Sequence, residues 1–256
     1  MMSSKISPFN LNGKTILVTG ASSGIGRQIA IDCSRFGARV IIIGRNNERL
    51  KQTLKLLDGN NHIVIKEDIT NFELINNKLN KINIPILDGV VHSAGILKIA
   101  PIKIINILDI EEVFKTNLIA SVSITKHLLS YNLINYGGSV VFISSVNGNS
   151  KFVKGFSTYA ASKAALSSYS KSFALEYAKK RIRFNTINPG MVKTEMLQEL
   201  QKVLSPEIIE VDKLKYPFND YCEPEDISHA CIYLLSEASK WVTGTSIIID
   251  GGLSIN

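Results

Sequence analysis

Thr19-Gly20-Ala21-Ser22-Ser23-Gly24-Ile25-Gly26 is the stretch of sequence that decides the fold of this chain. It follows a β-branched run at residues 15–19 and opens a segment in which apolar residues return at helical spacing until Gly37. Glycines between a strand and a helix allow a tight turn, and they let the backbone approach a pyrophosphate at the positive end of the helix. The stretch therefore predicts a strand–turn–helix unit that binds a dinucleotide.

Short β-branched runs alternate with longer amphipathic stretches along the rest of the chain, which predicts a parallel sheet with helices on both faces. The predicted strands are residues 15–19, 39–43, 62–66, 89–92, 139–144, 183–187 and 246–249. The predicted helices after the first are residues 48–57, 109–129, 158–179 and 225–235, with Asp109 and Thr158 as N-caps. We therefore predict a single doubly wound α/β domain over residues 14–256, after an N-terminal extension at residues 1–13.

Composition narrows the class of protein. The chain has 256 residues, of which 45% are hydrophobic, and no apolar run approaches the ~20 residues that span a bilayer. Residues 1–14 lack the apolar stretch of a secretory signal, and three irregularly spaced cysteines fit neither a disulfide framework nor a zinc site. The four histidines are scattered as well. We therefore expect a cytoplasmic protein with no membrane segment and no metal.

The net charge of +7 is spread over the chain, and its densest basic run is only Lys179-Lys180-Arg181. Nucleic-acid binding usually needs a basic stripe with interleaved aromatic residues, which this sequence lacks. The charge is instead expected on a solvated surface, and it would also suit a phosphorylated cofactor or a small acidic substrate. No nucleic-acid partner is predicted.

The end of the second predicted strand, Ile43-Gly44-Arg45-Asn46, bears on which dinucleotide binds. An acidic residue here would hydrogen-bond the adenosine ribose of NAD. Gly44 leaves that position without a carboxylate, and Arg45 supplies a guanidinium suited to a 2′-phosphate. The alternative is that Arg45 only faces solvent. Because Ser22 and Ser23 can add hydroxyl donors, NADP(H) is predicted in preference to NAD(H).

Tyr159-Ala-Ala-Ser-Lys163 places a phenol and an ammonium one helical turn apart. Residues i and i+4 share a helix face, so both side chains are expected to point into the same space. A cation beside a tyrosine favours the phenolate, and we therefore expect Lys163 to lower the pKa of Tyr159 from its usual ~10. The pair predicts a group that exchanges protons near neutral pH.

Further short motifs follow the glycine stretch in order along the chain. They are Asp68-Ile69, Ala94-Gly95, Asn117, Ser145, Tyr159-x-x-x-Lys163, Asn188-Pro189-Gly190 with Thr194, and Asp250-Gly251-Gly252. Together with the glycine stretch they resemble the short-chain dehydrogenase/reductase family over nearly the whole chain. The resemblance implies a Rossmann-type seven-stranded sheet and an enzyme that transfers a hydride between a nicotinamide and a carbonyl or secondary alcohol.

The resemblance implies four catalytic residues. Tyr159 would give its proton to the carbonyl oxygen, and Ser145 would hydrogen-bond that same oxygen. Lys163 would lower the pKa of Tyr159 and hold the nicotinamide ribose. Asn117, which taken alone suits the surface of a helix, would support a water chain to Lys163. Ser144 is a rival to Ser145, because strand alternation sends the two to opposite faces, and the family pattern selects the second.

The resemblance also implies a set of cofactor contacts. Asp68 and Ile69 would flank the adenine, although Asp68 also suits a cap of the next helix. Pro189, Gly190 and Thr194 would position the nicotinamide carboxamide, with Val192 alongside. The whole predicted set is Gly20, Ser22, Ser23, Gly24, Ile25, Gly26, Arg45, Asp68, Ile69, Ser93, Ala94, Gly95, Tyr159, Lys163, Pro189, Gly190, Val192 and Thr194.

Two positions depart from the family pattern. His92 and Ser93 stand where two asparagines are common, which weakens the expected contacts to the ribose and between strands. Ser23 stands where many NADP-preferring members carry a basic residue. The prediction of NADP(H) therefore depends on Arg45.

The family builds its substrate lid over the segment that corresponds to residues 195–219. The apolar residues expected in that lid are Met196, Leu197, Leu200, Val203, Leu204, Ile208, Ile209 and Leu214. They either cover an apolar substrate or only pack the lid onto the body of the protein. Lysines in this region would suit an acidic carrier protein or a phosphorylated substrate.

The nearest subclass is the 3-oxoacyl-carrier-protein reductases, which act on a small carbonyl substrate bound to a carrier protein. Tyr216-Pro217-Phe218-Asn219 replaces the proline and arginine-containing turn usual in those enzymes, so a sugar or steroid alcohol dehydrogenase stays open. A non-catalytic dinucleotide-binding sensor or scaffold would usually have lost the tyrosine or the lysine. An epimerase or dehydratase would have a different glycine spacing. A homotetramer or homodimer is expected from the resemblance.

Overall fold

A seven-stranded parallel sheet forms the centre of the molecule in this computed structural model, which describes residues 7–82, 84–201 and 205–256. Its strands are β1 (Thr15–Thr19), β2 (Arg39–Gly44), β3 (Ile63–Lys66), β4 (Leu87–His92), β5 (Ile134–Ile143), β6 (Arg183–Pro189) and β7 (Ser246–Ile249). They lie side by side in the order β3-β2-β1-β4-β5-β6-β7. The winding reverses between β1 and β4, which confirms the predicted doubly wound sheet and places the ligand crevice at that point.

Helices cover both faces of the sheet. They are α1 (Gly24–Arg35), α2 (Asn47–Lys55), α3 (Phe72–Lys81), α4 (Ile107–Phe114), α5 (Ala120–Ser130), α6 (Ser157–Glu176), α7 (Glu195–Gln201), α8 (Pro206–Lys213) and α9 (Pro224–Leu235). A π-helical turn, Lys115–Ile119, joins α4 to α5 within the helix predicted over residues 109–129. The sequence pattern does not predict α3, because only Ile75 and Leu79 of its ten residues are buried.

The helix starts differ from the two predicted N-caps. Asn106 caps α4, since its side chain accepts a hydrogen bond from the Leu108 N–H at 2.9 Å, and Asp109 lies inside the first turn. Helix α6 begins at Ser157, so Thr158 also lies inside a first turn. Both N-cap predictions are wrong because the apolar spacing that marks a helix becomes visible only after its first residues.

Buried side chains form one core on each face of the sheet. Strand β1 is buried along its whole length, as expected for a central strand of a parallel sheet. On one face α1 packs against α9, with Cys33 and Cys231 both fully buried between them. On the other face α3, α5 and α6 contribute to the second core. Both faces of the sheet are therefore covered by packed helices.

Helices α7 and α8 follow β6 at this carboxyl edge, within the predicted lid. Leu197 is the buried residue of α7, and α8 buries none of the residues in its described range. Val203 and Leu204, two predicted lid residues, lie outside the described residues. Within the described ranges, no helix has both the length and the apolar character needed to cross a bilayer.

Candidate active site

The turn between β1 and α1 has room only for glycine at two of its positions. A Cβ on Gly26 would overlap the carbonyl oxygen of Gly20, and a Cβ on Gly20 would lie 2.7 Å from the backbone of Ala94. Gly20 also has a φ of +70°, in the left-handed region that favours glycine. The turn is thus a cradle of backbone atoms at the start of α1, and its shape fits the phosphates of a dinucleotide.

A cavity of about 900 Å³ begins at this cradle and extends along the carboxyl edge of the sheet to α6 and α7. Every residue of the predicted cofactor set lines this cavity, and so does Ser145. Asn117 is not part of the described lining and lies behind Gly95, where a Cβ would be 3.4 Å from Asn117 Oδ1. The fold therefore gathers residues from seven separate stretches of sequence at one site.

Tyr159 and Ser145 meet at the end of the cavity that faces α6. The Tyr159 phenol is a hydrogen-bond partner of the Ser145 hydroxyl. Ser145 Oγ also accepts a hydrogen bond from the Asn147 N–H at 3.2 Å, which fixes the position of this hydroxyl. A substrate oxygen placed against the pair can accept a hydrogen bond from each hydroxyl, and this arrangement stabilises negative charge on that oxygen.

The predicted lowering of the Tyr159 pKa is not found. Burial raises the pKa of Tyr159 to about 12, and the hydrogen bond with Ser145 opposes this only in part. Lys163 Nζ lies 5.7 Å from the centre of the Tyr159 ring and donates a hydrogen bond to the Ile143 carbonyl oxygen at 2.7 Å. Helical spacing brings the two residues together, but burial decides the pKa. The phenol is therefore the protonated acid at neutral pH.

Lys163 is itself buried, and burial lowers its pKa to about 8. The carbonyl oxygen of Lys163 accepts a hydrogen bond from Ser144 Oγ at 2.8 Å. Ser144 therefore attaches α6 to the end of β5, whereas Ser145 pairs with the Tyr159 phenol. The two serines thus have different partners on α6, the Lys163 carbonyl for Ser144 and the Tyr159 phenol for Ser145.

Asn117 lies in the π-helical turn and is fully buried, so it is not on a helix surface. Its Oδ1 accepts a hydrogen bond from the Ile96 N–H at 2.8 Å, and its Nδ2 donates to the Ile96 carbonyl at 3.0 Å and to Ser162 Oγ at 3.1 Å. Ser162 donates in turn to the Tyr159 carbonyl at 2.7 Å. Both amide hydrogens of Asn117 are thus used to tie the segment after Gly95 to α6. π-helical turns of this kind frequently lie at functional sites.

Arg45 follows β2 and presents a guanidinium to the cavity. Its side chain is 67% exposed, and its nearest anionic contact is Asp68 Oδ2 at 3.7 Å. Asp68 accepts hydrogen bonds from the N–H and the hydroxyl of Thr70, at 2.9 and 2.8 Å, and so stabilises the turn before α3. Asn71, and not Asp68, occupies the N-cap position of that helix. Arg45 is therefore loosely held and able to turn towards an anion.

His92 explains one departure from the family pattern. It ends β4, where its ring stacks on Phe142 with 5.1 Å between ring centres, and its Nε2 lies 2.8 Å from Thr125 Oγ1. Burial lowers the pKa of His92 to about 3, so the ring is neutral at physiological pH. His92 thus braces β4 against β5 and α5, while Ser93 beside it lines the cavity.

A contact that the sequence does not predict joins the glycine turn to α7. Glu195 Oε2 accepts a hydrogen bond from the Gly24 N–H at 2.9 Å, and Glu195 Oε1 lies 3.4 Å from Arg27 NH1. A Cβ on Gly24 would lie 3.1 Å from the Thr194 side chain, so Thr194 also packs on the turn. The position of Glu195 directly after Thr194 is the single sequence signal that points to this contact.

The other side of the cavity is mainly apolar. Its apolar lining residues are Ile96, Leu97, Ile99, Phe152, Val153, Phe156, Met191, Met196, Leu197, Leu200, Ile208 and Ile209. Tyr216, from the unusual turn, is buried and also lines the cavity; its hydroxyl accepts a hydrogen bond from the Met191 N–H at 3.0 Å and its ring packs edge-on against Tyr221. Most predicted lid residues in the described ranges therefore face the cavity.

Several known proteins are similar in sequence to this chain. The family described as enoyl-(acyl carrier protein) reductase matches residues 20–254. The chain is 34% identical over 244 residues to the 3-oxoacyl-[acyl-carrier-protein] reductase FabG of Rickettsia felis, covering 95% of this chain and 98% of that relative. It is 32% identical to the hydroxynaphthalene reductase-like protein Arp2 of Metarhizium robertsii, covering 98% of this chain and 99% of that relative.

Solved structures share the fold. The aldohexose dehydrogenase of Thermoplasma acidophilum, in ligand-free form, has a TM-score of 0.85 at 28% identity and covers 96% of both chains. A proposed NAD(P)-dependent gluconate 5-dehydrogenase of Beutenbergia cavernae, with NADP bound at low occupancy, has a TM-score of 0.87 at 28% identity and covers 97% of this chain and 100% of its own. Sheet order, ordered motifs and relatives agree that the chain belongs to the short-chain dehydrogenase/reductase family of NAD(P)-dependent oxidoreductases.

Proposed function

We propose that the protein reduces the keto group of a 3-oxoacyl thioester, with NADPH as the hydride donor. The observation that carries this proposal is the Tyr159 phenol, which is protonated at neutral pH, hydrogen-bonded to Ser145 and part of the lining of a mainly apolar cavity. Reduction of a ketone leaves an oxygen that must gain a proton, and a protonated phenol beside a second hydroxyl supplies one. The bound coenzyme supplies the hydride.

The cofactor would lie along the lining residues already described. The turn at residues 20–26 would hold the diphosphate, and Arg45 would contact the 2′-phosphate that distinguishes NADP from NAD. Lys163 would hydrogen-bond the nicotinamide ribose, and residues 189–194 would position the carboxamide. A 2′-phosphate also offers Arg45 a stronger partner than Asp68, which lies 3.7 Å away.

The four proposed catalytic residues then have separate tasks. Tyr159 gives its proton to the carbonyl oxygen, and Ser145 hydrogen-bonds that oxygen as its negative charge develops. Lys163 lies against the face of the Tyr159 ring and restrains it. Asn117 holds the segment after Gly95 against α6 through Ile96 and Ser162, so that the two walls of the site keep their spacing.

The apolar wall and the nearby lysines support an acyl thioester as substrate. An acyl chain of several carbons gains from burial against the lid and the segment over residues 151–156. Lys151, Lys154 and Lys215 also line the cavity and would suit the phosphate of a pantetheine arm or an acidic carrier protein. The 3-oxoacyl reductases among the relatives carry the same substrate class in their names.

The test is a panel of carbonyl compounds with both coenzymes, read as loss of NADPH or NADH absorbance. We expect the fastest turnover with short 3-oxoacyl thioesters and NADPH, and slower turnover with a plain ketone of equal length. Tight NADPH binding without turnover of any carbonyl would instead favour a redox sensor or scaffold, and would refute the proposal.

A sugar dehydrogenase is the second candidate. The solved relatives include an aldohexose dehydrogenase and a proposed gluconate dehydrogenase, and the polar side chains of Asn147 and Gln201 line the cavity as possible partners for sugar hydroxyls. Turnover of aldohexoses or gluconate with NADP⁺, faster than that of any 3-oxoacyl thioester, would select this candidate.

We also propose that the protein works in the cytoplasm as a homotetramer or homodimer. The supporting observation is a set of apolar side chains on the outer faces of the π-turn and α6, among them Ile119, Tyr169 and Leu175, all exposed in the single chain. Such surfaces often pack against a second copy. Light scattering of the purified protein measures the assembly, and a monomeric mass would refute this proposal.

A further inference from the structure

Helix α1 begins with an N-terminus that is capped from far along the chain. Its own N-cap residue, Ser23, makes no side-chain capping hydrogen bond to any part of the chain that the structure describes. The Gly24 N–H instead donates to Glu195 Oε2 at 2.9 Å, and the other oxygen of that carboxylate lies 3.4 Å from Arg27 NH1. Glu195 is the first residue of α7, so an anion of the lid lies at the positive end of α1.

This carboxylate lies where the diphosphate of the coenzyme is proposed to bind. First-turn amides of a helix that follows a glycine turn are the donors that hold a diphosphate. A carboxylate on the same amide removes one donor and repels a second anion at short range. Glu195 and the diphosphate therefore compete for the same end of α1.

The chain around Glu195 is built so that α7 can move while its base stays fixed. The Lys193 N–H donates to the Cys222 carbonyl, and the Cys222 N–H donates to the Met191 carbonyl, at 2.9 and 3.1 Å. Lys193 Nζ also pairs with Asp220 and Glu223, at 2.8 Å each. These contacts hold the segment up to Lys193, and beyond it α7 buries one residue, Leu197, among those described. A seven-residue helix that buries a single side chain should detach at low cost.

We propose that Glu195 acts as an internal competitor of the coenzyme. In the coenzyme-free protein it holds α7 against the glycine turn, and the incoming diphosphate displaces it. Displacement releases α7 from the glycine turn. This inference rests on the proposed function, because it needs a dinucleotide on the glycine turn.

The first experiment measures the dissociation constant of NADPH by fluorescence titration in wild type, Glu195→Gln and Glu195→Ala. Glu195→Gln keeps a hydrogen-bond acceptor and removes the charge, and Glu195→Ala removes both. We expect both variants to bind NADPH about tenfold more tightly, the scale of one close charge–charge contact, and we expect the gain to shrink at high salt. Glu207→Gln, an equal charge change on α8, is the matched control and should leave the affinity unchanged.

The second experiment follows backbone hydrogen exchange over Glu195–Gln201. NADPH should speed this exchange in wild type, whereas in Glu195→Ala the exchange should already be fast and should not respond. Unchanged or weaker NADPH binding in both Glu195 variants, or wild-type exchange that ignores NADPH, would overturn the inference while leaving the proposed function intact. A wild-type protein that binds neither coenzyme would overturn both.

Discussion

The two sides of the cavity are built from different materials. The coenzyme side consists mainly of backbone, in the turn after β1 and at the ends of β4 and β6, and each of these strands is held inside the sheet. The lid side consists of side chains on α7 and α8, of which Leu197 alone is buried among the described residues. NAD and NADP carry the same diphosphate, so a cradle of fixed backbone geometry suits both. Substrates differ in shape, and side chains on a less firmly packed lid can adapt to them.

The largest effect is expected at Tyr159, where a substitution should lower turnover and leave coenzyme binding nearly unchanged. Tyr159→Phe removes the proposed proton donor and keeps the ring, so turnover should fall about 10³-fold or more. The dissociation constant of NADPH should change little, because the phenol lies at the far end of the cavity from the glycine turn. Steady-state rates and a coenzyme titration on one preparation measure both. A variant that keeps its activity would show that the proton comes from another group.

Gly26→Ala should show that NADPH affinity depends on the coenzyme side of the cavity and not on the lid side. Its Cβ would overlap the Gly20 carbonyl, and backbone cannot move aside without opening the turn. We expect NADPH affinity to fall on the order of 100-fold, with a lower melting temperature. Leu200→Ala on the lid is the comparison, with unchanged NADPH affinity and a stability loss below about 1 kcal/mol. Equal losses of NADPH affinity in the two variants would show that the lid contributes as much to coenzyme binding as the glycine turn does.

Lys163 tests whether burying a lysine in the active site lowers the free energy of unfolding. Its pKa is lowered from an ordinary 10.5 to about 8, so between these pH values the unfolded chain binds more protons than the folded protein. The free energy of unfolding should therefore rise with pH across this window, by up to roughly 3 kcal/mol from this residue. The destabilising contribution is full below pH 8 and is relieved above it.

The measurement is denaturant unfolding of wild type and Lys163→Met from pH 7.5 to pH 10. Both proteins must unfold in a two-state transition over this range. The advantage of Lys163→Met over wild type should shrink as the pH rises. A difference between the two proteins that stays constant with pH would show that Lys163 keeps its ordinary pKa in the folded state.

The smallest effect is expected at Arg45, on the exposed edge of the coenzyme side, and concerns the preference for NADPH over NADH. Arg45→Asp should weaken NADPH about tenfold to 30-fold and leave NADH within a few-fold, since the exchanged charge would lie beside the 2′-phosphate, which NADH lacks. Arg49→Asp is the matched control, because it makes the same charge change on an exposed residue of α2 outside the cavity lining. An unchanged NADPH-to-NADH ratio in Arg45→Asp would assign the 2′-phosphate to another group.

Local patterns predict the sheet well, because each strand is marked by its own neighbours in sequence. Alternating β-branched runs reveal the seven strands, and the glycine turn reveals its own strand–turn–helix setting. Helix starts are less visible: Asn106 caps α4 from a position that the apolar spacing does not reach. Short helix α3 escapes for a similar reason, since its two buried residues form too brief a pattern.

What the sequence cannot reveal depends on burial or on distant partners. Spacing puts Lys163 beside Tyr159, yet the pKa of Tyr159 rises because of burial that no spacing records. The contact between Gly24 and Glu195 joins residues 171 positions apart, and neither residue type announces the other. The role of His92 as a stacked, neutral brace depends on Phe142, which comes from another strand.

Two adjacent serines follow β5, so an insertion and a deletion in this strand should affect the site differently. Ser144 Oγ donates to the Lys163 carbonyl and Ser145 contacts the Tyr159 phenol, so a slip of one residue in β5 would take both hydroxyls from their partners on α6. An added residue before Ser144 would put Ser144 in the place of Ser145 and keep a hydroxyl beside the phenol. A lost residue would put Val146 there instead. An insertion of one residue here should therefore retain a hydroxyl beside the phenol, whereas a deletion should lose it.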